Sequence, residues 1–190
     1  MNNSKKIGNE GERQVASFLS CLPSSNFKLY NNVMFKTRRG TTQIDHILVS
    51  DKCIFVVETK AHKGMIFGDA NSKYWTQCLF GKGRVINKYK FYSPYWQNKS
   101  HLKNVIYHLK TGWVCGIVCF TSDSVDLSHV NCESVTKIEY LYNLVCNIYN
   151  RLSFADYNFY EVCQRLEKEN IQSSYYDRKH VNYVKSLSNK

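Results

Sequence analysis

Two carboxylates and a lysine sit where the sequence itself can place them together. The run Gln43-Ile44-Asp45-His46-Ile47-Leu48-Val49, the turn-like pair Asp51-Lys52 and the run Ile54-Phe55-Val56-Val57-Glu58-Thr59-Lys60 read as two strands of a hairpin. Centred between Asp51 and Lys52, that hairpin pairs Val49 with Ile54 and Ile47 with Val56. Asp45 then opposes Glu58, and Gln43 opposes Lys60. Because side chains alternate along a strand, all four emerge on one face provided no bulge intervenes, with opposed Cβ atoms roughly 4.5–5.5 Å apart. His46 points to the other face and reads as a packed or hydrogen-bonded core histidine.

Opposed carboxylates at the end of an apolar strand pair repel each other and lose hydration, a cost that a proton or a cation relieves. Hard oxygen ligands point to Mg²⁺ or Mn²⁺, with open positions for water and a phosphate oxygen. Such an ion lowers the pKa of bound water and neutralises charge on phosphorus. Lys60 would orient or deprotonate the attacking water, or stabilise the transition state. A bare Glu-x-Lys reads more readily as a salt bridge of Lys60 with Glu58 or Asp45 on a solvated strand end. The register match with Asp45 and the apolar runs behind it favour a site.

The elements that must hold these residues follow from periodicity. Val15, Ala16, Phe18, Leu19 and Leu22 fall at helical spacing before Pro23, which predicts a first helix from Gly8 to Leu22. Phe27 to Phe35, Thr42 to Ser50 and Cys53 to Thr59 predict three antiparallel strands. Met65 to Tyr89 predicts short strands with one hairpin around Gly81-Lys82-Gly83. Ser93-Pro94 predicts the cap and first position of a helix reaching Leu109, with His101 on the same face as Gln97. Val114 to Phe120 is apolar enough for a strand buried on both faces. Two amphipathic helices follow, one with a stripe from Ile138 to Leu152 and one carrying Phe159, Val162, Cys163 and Leu166. The tail from Gln172 to Lys190 is polar and basic.

With 190 residues the chain is long enough for one core and too short for a second catalytic domain. Lys and Arg exceed Asp and Glu by 26 to 15, a net charge of +11, so a polyanionic partner is the first suspicion. Tyr89, Tyr92 and Tyr95 interleave with Lys88 and Lys90. That suits a groove that tracks phosphates and stacks bases, and equally an edge strand whose aromatics pack on a core. The eight cysteines lie mostly inside apolar runs and read as buried hydrophobes of a reducing compartment. The polar N-terminus has no apolar signal region, and no apolar run approaches a membrane span; the expected location is cytoplasmic, with no membrane partner.

Several ordered motifs together resemble the nuclease-related domain (NERD) family: Gly8-Asn9-Glu10-Gly11-Glu12, Gln43-Ile44-Asp45-His46, Glu58-Thr59-Lys60, Gly64 to Gly68 with Trp75, and Ser93-Pro94 with Gln97-Asn98 and His101. That family is similar in core fold to the PD-(D/E)xK nucleases; Ile44 stands where the superfamily pattern has Pro. The resemblance implies an α/β restriction-endonuclease-like core over residues 1–125, a central mixed β-sheet flanked by helices. Residues 126–190 would be a C-terminal helical extension packed on it. It also implies Asp45, Glu58 and Glu12 as metal ligands, Lys60 as the catalytic lysine, and Gln97 as a polar contributor. Glu12 reads also as a helix-start acid and Gln97 as an exposed polar residue.

The expected function is a Mg²⁺- or Mn²⁺-dependent nuclease with endonucleolytic action on DNA. Gln43, Arg38, Arg39, His62, Lys63, Lys73 and His101 are candidate contacts to the DNA backbone, or a solvated basic rim. The alternatives are a DNA-binding module that keeps a nuclease-like fold without turnover, and an accessory protein that recruits a partner through helices beyond Glu139. A protein partner or a homodimer is compatible with each.

Overall fold

The computed structural model describes residues 3–154 and 156–171; the basic tail from Gln172 lies outside them. Helix α1 (Asn3–Ser20) leads into β1 (Phe27–Thr37), β2 (Gly40–Ser50) and β3 (Ile54–Lys60). Then come β4 (Gly64–Asp69), β5 (Tyr74–Gly81), β6 (Arg84–Tyr92), α2 (Pro94–Leu109) and β7 (Val114–Phe120). The described chain closes with β8 (Val125–Asn131), β9 (Val135–Lys137), α3 (Ile138–Arg151) and α4 (Phe159–Glu169). The strands form two mixed sheets, ordered β1-β2-β3-β7-β9 and β6-β5-β4-β8. The class is the α/β one expected, with a mixed sheet between helices. Among the described residues no helix is long and apolar enough to cross a membrane.

The centre of the first sheet is the parallel pair β3–β7, and its sequence explains why. Phe55 and Val57 pack to one side with Ile117 and Cys119, while Ile54 and Val56 pack to the other. Strands apolar on both faces need cover on both. On the first side α1 and α3 supply Val15, Leu19, Leu141 and Val145; on the second α2 and α4 supply Val105, Leu109, Val162 and Leu166. Each such buried side chain contributes roughly 1.5–3 kcal/mol of transfer free energy. The apolar stripes of α3 and α4 are thus turned inward. Helix α2 starts where the sequence places it: Ser93 accepts the Trp96 amide and Pro94 opens the first turn.

Two features differ from the sequence reading. Strands β8 and β9 lie in a stretch whose polar, interrupted pattern shows no clear period, and they exist because each pairs in parallel with a strand already in place, β4 and β7. The second concerns the faces of β1 and β2. Phe27 and Leu29 pack with Leu48 on one side, and strict alternation would put Val33, Phe35 and Ile44 there too. They pack instead with Ile47 and Val49 on the opposite side. The switch falls at Asn32, which is left-handed with φ 55°, and the β1–β2 ladder omits the Asn32–Asp45 pair.

The second sheet rests on the first through Val118 and Phe120 of β7, which meet Ile66, Trp75 and Val125. Trp75 is 1% exposed, and its Nε1 donates to the Asp69 carbonyl at 3.1 Å. Its ring lies against Gly68, where an added Cβ would come within 2.2 Å of Trp75 Cδ2. Gly68→Ala is therefore expected to lower stability by about 1–3 kcal/mol, read as a lower urea midpoint with unchanged slope.

Candidate active site

The hairpin register expected from the sequence holds from Val49↔Ile54 to His46↔Val57, and there the β2–β3 ladder stops. Asp45 and Glu58 lie just beyond its last rung. The strands part at this point, and the Asp45 side chain supplies the bond that the ladder no longer makes: the Thr59 amide donates to Asp45 Oδ2 at 2.8 Å. Gln43 is a correction. It pairs with Met34 of β1, and its Nε2 donates to Asn32 Oδ1 at 2.9 Å, so it does not oppose Lys60. The missing ladder and the face switch at Asn32 are the physical reason.

Glu58 is 2% exposed. Its Oε1 accepts from Lys60 Nζ at 2.5 Å, and the same ammonium donates to Gln97 Oε1 at 3.1 Å. Gln97 is thus a member of the site. His101, one turn further along α2, is buried with Nε2 3.2 Å from Glu58 Oε2, and its Nδ1 lies 3.2 Å from Thr42 Oγ1. It belongs to the core of the site and is not an exposed phosphate contact. Glu58 Oε2 and His101 Nε2 are close without the alignment of a hydrogen bond, and both remain buried without a completed one.

The charges are coupled. Burial and the Glu58 charge raise the Asp45 carboxyl well above the usual range against the opposing Thr59 amide and Lys60, and Glu12 adds to the rise. Glu12 is raised too, by burial and then by Glu58, with Lys60 opposing. For Glu58 burial acts upward, but Lys60 and His101 together carry it below its ordinary value. Burial would lower Lys60, yet Glu58, Asp45 and Glu12 hold it above. The ammonium stays charged, which suits electrostatic stabilisation and not proton abstraction.

Several residues position these groups. Gly11 lets α1 approach β7's end so closely that a Cβ there would be 2.6 Å from Thr121 Oγ1, and Glu12 follows it. Asn98 is buried, and its Nδ2 donates to Val56 O at 3.0 Å and to Ile117 O at 2.9 Å, tying α2 across both central strands. Neither Asn98 nor Thr42 was assigned a role from the sequence. Asn98 stood in a motif beside Gln97; Thr42 carried no signal.

The expected backbone contacts divide into two flanks. Arg38 and Arg39 are exposed at the β1–β2 tip, in a groove of about 1090 Å³ that also takes in Lys36, Lys110 and Thr42, the partner of His101. His62, Lys63 and Lys73 lie on the side of the second sheet. The His62 ring packs on Phe91 at 4.4 Å, and burial and then the Lys60 charge lower its pKa. Lys63 and Lys73 are exposed.

Among the described residues no three acidic, histidine or cysteine side chains stand preassembled around one metal position. The donor chemistry nevertheless suits a hard divalent cation. Three coupled carboxylates converge, two of them held toward protonation, and one buried carboxylate oxygen has no completed hydrogen bond.

His46 is 1% exposed, with Nδ1 2.7 Å from Asn31 Oδ1 and Nε2 3.2 Å from Thr59 Oγ1. A neutral ring that donates at Nδ1 and accepts at Nε2 satisfies both, and burial lowers its pKa from 6.5 to about 4. The unfolded chain binds this proton more readily, so the stability linked to His46 is complete above pH 6.5 and is lost as pH falls toward 4. Urea unfolding is expected to show a loss of about 3 kcal/mol over that window, absent in His46→Gln.

The model of the nuclease-related domain family matches residues 7–121, a span that includes Glu12, Asp45, Glu58, Lys60, Gln97 and His101. An uncharacterized protein of Bacillus anthracis is 30% identical over 181 residues, which cover 93% of this chain and 83% of the relative. No solved structure matches the chain.

Proposed function

This chain belongs to the nuclease-related domain family, and on that premise we propose that it is a Mg²⁺- or Mn²⁺-dependent nuclease that hydrolyses DNA phosphodiester bonds, with endonucleolytic action. The observation that carries the reading is the Lys60 ammonium, shared between Glu58 Oε1 and Gln97 Oε1 and electrostatically coupled to Asp45 and Glu12. Asp45, Glu58 and Glu12 are the residues that would hold the metal. When bound, the ion supplies Lewis-acid activation of water and neutralises charge on the scissile phosphate. Lys60, kept protonated by its acidic neighbours, stabilises the charge that develops on the phosphate oxygens. Gln97 fixes the ammonium from the helix side, and His101 orients Glu58. Arg38 and Arg39 on one flank and Lys63 and Lys73 on the other hold the DNA backbone.

A binding module without turnover is the second reading. It is favoured by the engagement of Glu58 with Lys60 and by the absence of a preassembled metal triad among the described residues. Plasmid nicking separates the two. With Mg²⁺ or Mn²⁺ the protein should nick supercoiled DNA, a chelator should abolish nicking, and Glu58→Ala and Lys60→Ala should each reduce its rate at least about 100-fold. Equal nicking by both variants rejects the assignment, and salt-sensitive binding without any nicking selects the second reading.

A further inference from the structure

Among the described residues the first sheet is covered by helices on both faces, whereas the second is covered on one. Its inner face carries Ile66, Trp75 and Phe91 against β7. Among the described residues no helix lies over the outer face, and the pairing arranges the side chains there in rows. Tyr74 sits opposite Tyr92, with ring centroids 6.1 Å apart. The next row is Lys90, Thr76, Phe67 and His129, and the last two stack at 4.6 Å with an interplanar angle of 19°. Lys88 opens the row beyond, opposite Cys78.

These rings are exposed: Tyr74 by 59%, Tyr92 by 42% and Phe67 by 37%. Lysines on the edge strand β6 would by themselves be an ordinary defence against edge pairing. That defence gives no reason to present two ring stations beside them. Successive rows are roughly 7 Å apart along the strands, and each ring offers a π-face that stacks on any base. The charge sets the sign of the occupant. Strands β5 and β6 carry no Asp or Glu, while Lys and Arg recur along β6; the acids of this face, Asp69 and Asp126, lie on β4 and β8, so the basic side is the one that Lys88 and Lys90 form.

We propose that the outer face of the second sheet is a stacking platform for single-stranded DNA, with the Tyr74–Tyr92 and Phe67–His129 pairs holding bases and Lys88 and Lys90 holding phosphates. The platform names the form of substrate brought to the site at the end of β3, and it rests on the nuclease reading only for the choice of DNA. Sheet and site are joined by three residues between Lys60 and Gly64.

The test is fluorescence anisotropy with the full chain in a chelator, so that no hydrolysis competes. The probes are labelled oligo-dT and a duplex of equal length. The parent should bind oligo-dT more tightly than duplex. Tyr74→Ala, Tyr92→Ala and Phe67→Ala should each weaken oligo-dT binding about tenfold, equivalent to about 1.4 kcal/mol, and leave duplex binding unchanged. Replacing both lysines, Lys88→Gln with Lys90→Gln, should flatten the log–log salt dependence by about 1.4. The substituted rings are exposed, so circular dichroism should show intact folds. Parent-like oligo-dT affinity in the ring variants overturns the proposal, as does equal loss on duplex or absence of oligo-dT binding by the parent. Sedimentation showing a dimer that Tyr92→Ala dissociates overturns it in favour of a self-interface. A failed nicking assay with this binding pattern intact would reject hydrolysis and keep the platform.

Discussion

A carboxylate at the end of a strand buried on both faces has to be compensated, and much of this molecule is arranged around that requirement at Glu58. Removing such a charge from water costs several kcal/mol, recovered only when opposite charge and hydrogen bonds stand close by. Lys60 supplies the charge from the same strand. From α2, Gln97 holds the Lys60 ammonium and His101 stands 3.2 Å from Glu58 Oε2, so the site is incomplete unless that helix lies against β3 and β7. Asn98 holds it there by bonding one carbonyl of each strand, and Gly116 makes the approach possible: a Cβ at that position would lie 2.9 Å from Leu102 Cδ1. Packing and chemistry are therefore a single constraint.

Compensation at Glu58 leaves the rest of the site with an excess of acid. Asp45 and Glu12 feel Glu58 more than they feel Lys60, and both are driven toward their protonated forms. A polyanionic substrate would be repelled by such a cluster if it stood alone. Exposed basic groups stand on both flanks, Arg38 and Arg39 at the β1–β2 tip and Lys63 and Lys73 on the side of the second sheet. The overall charge of +11 is the sum of an acidic centre and a basic surround.

Much of this was legible in the residues. The register of β2 and β3 follows from apolar alternation and the short Asp51-Lys52 turn, and it placed Asp45 and Glu58 at the same end of the hairpin. The cap of α2 was readable from Ser93-Pro94. Alternation failed where a single left-handed residue, Asn32, changed which face the neighbouring side chains occupy; Asn tolerates that conformation in many settings, so its identity alone gave no warning. Gln43 was misplaced for the same reason. His101 looked like a surface residue because helical spacing reports which residues share a face and not which face is buried. Strands β8 and β9 depend on partners distant in sequence, and no local period announces them.

The connection between β3 and β7 carries a consequence for how the protein comes to be folded. These parallel neighbours hold the site at their ends, yet between them in the chain lie β4, β5, β6 and α2. Parallel pairing across so long a segment gains nothing until the segment's own entropy of closure has been met, and contacts of that kind are the slow ones. The antiparallel β4–β5–β6 part of the second sheet, by contrast, closes through short local turns. The residues of the candidate site thus depend on the slowest class of contact in the fold, while the β4–β5–β6 ribbon does not.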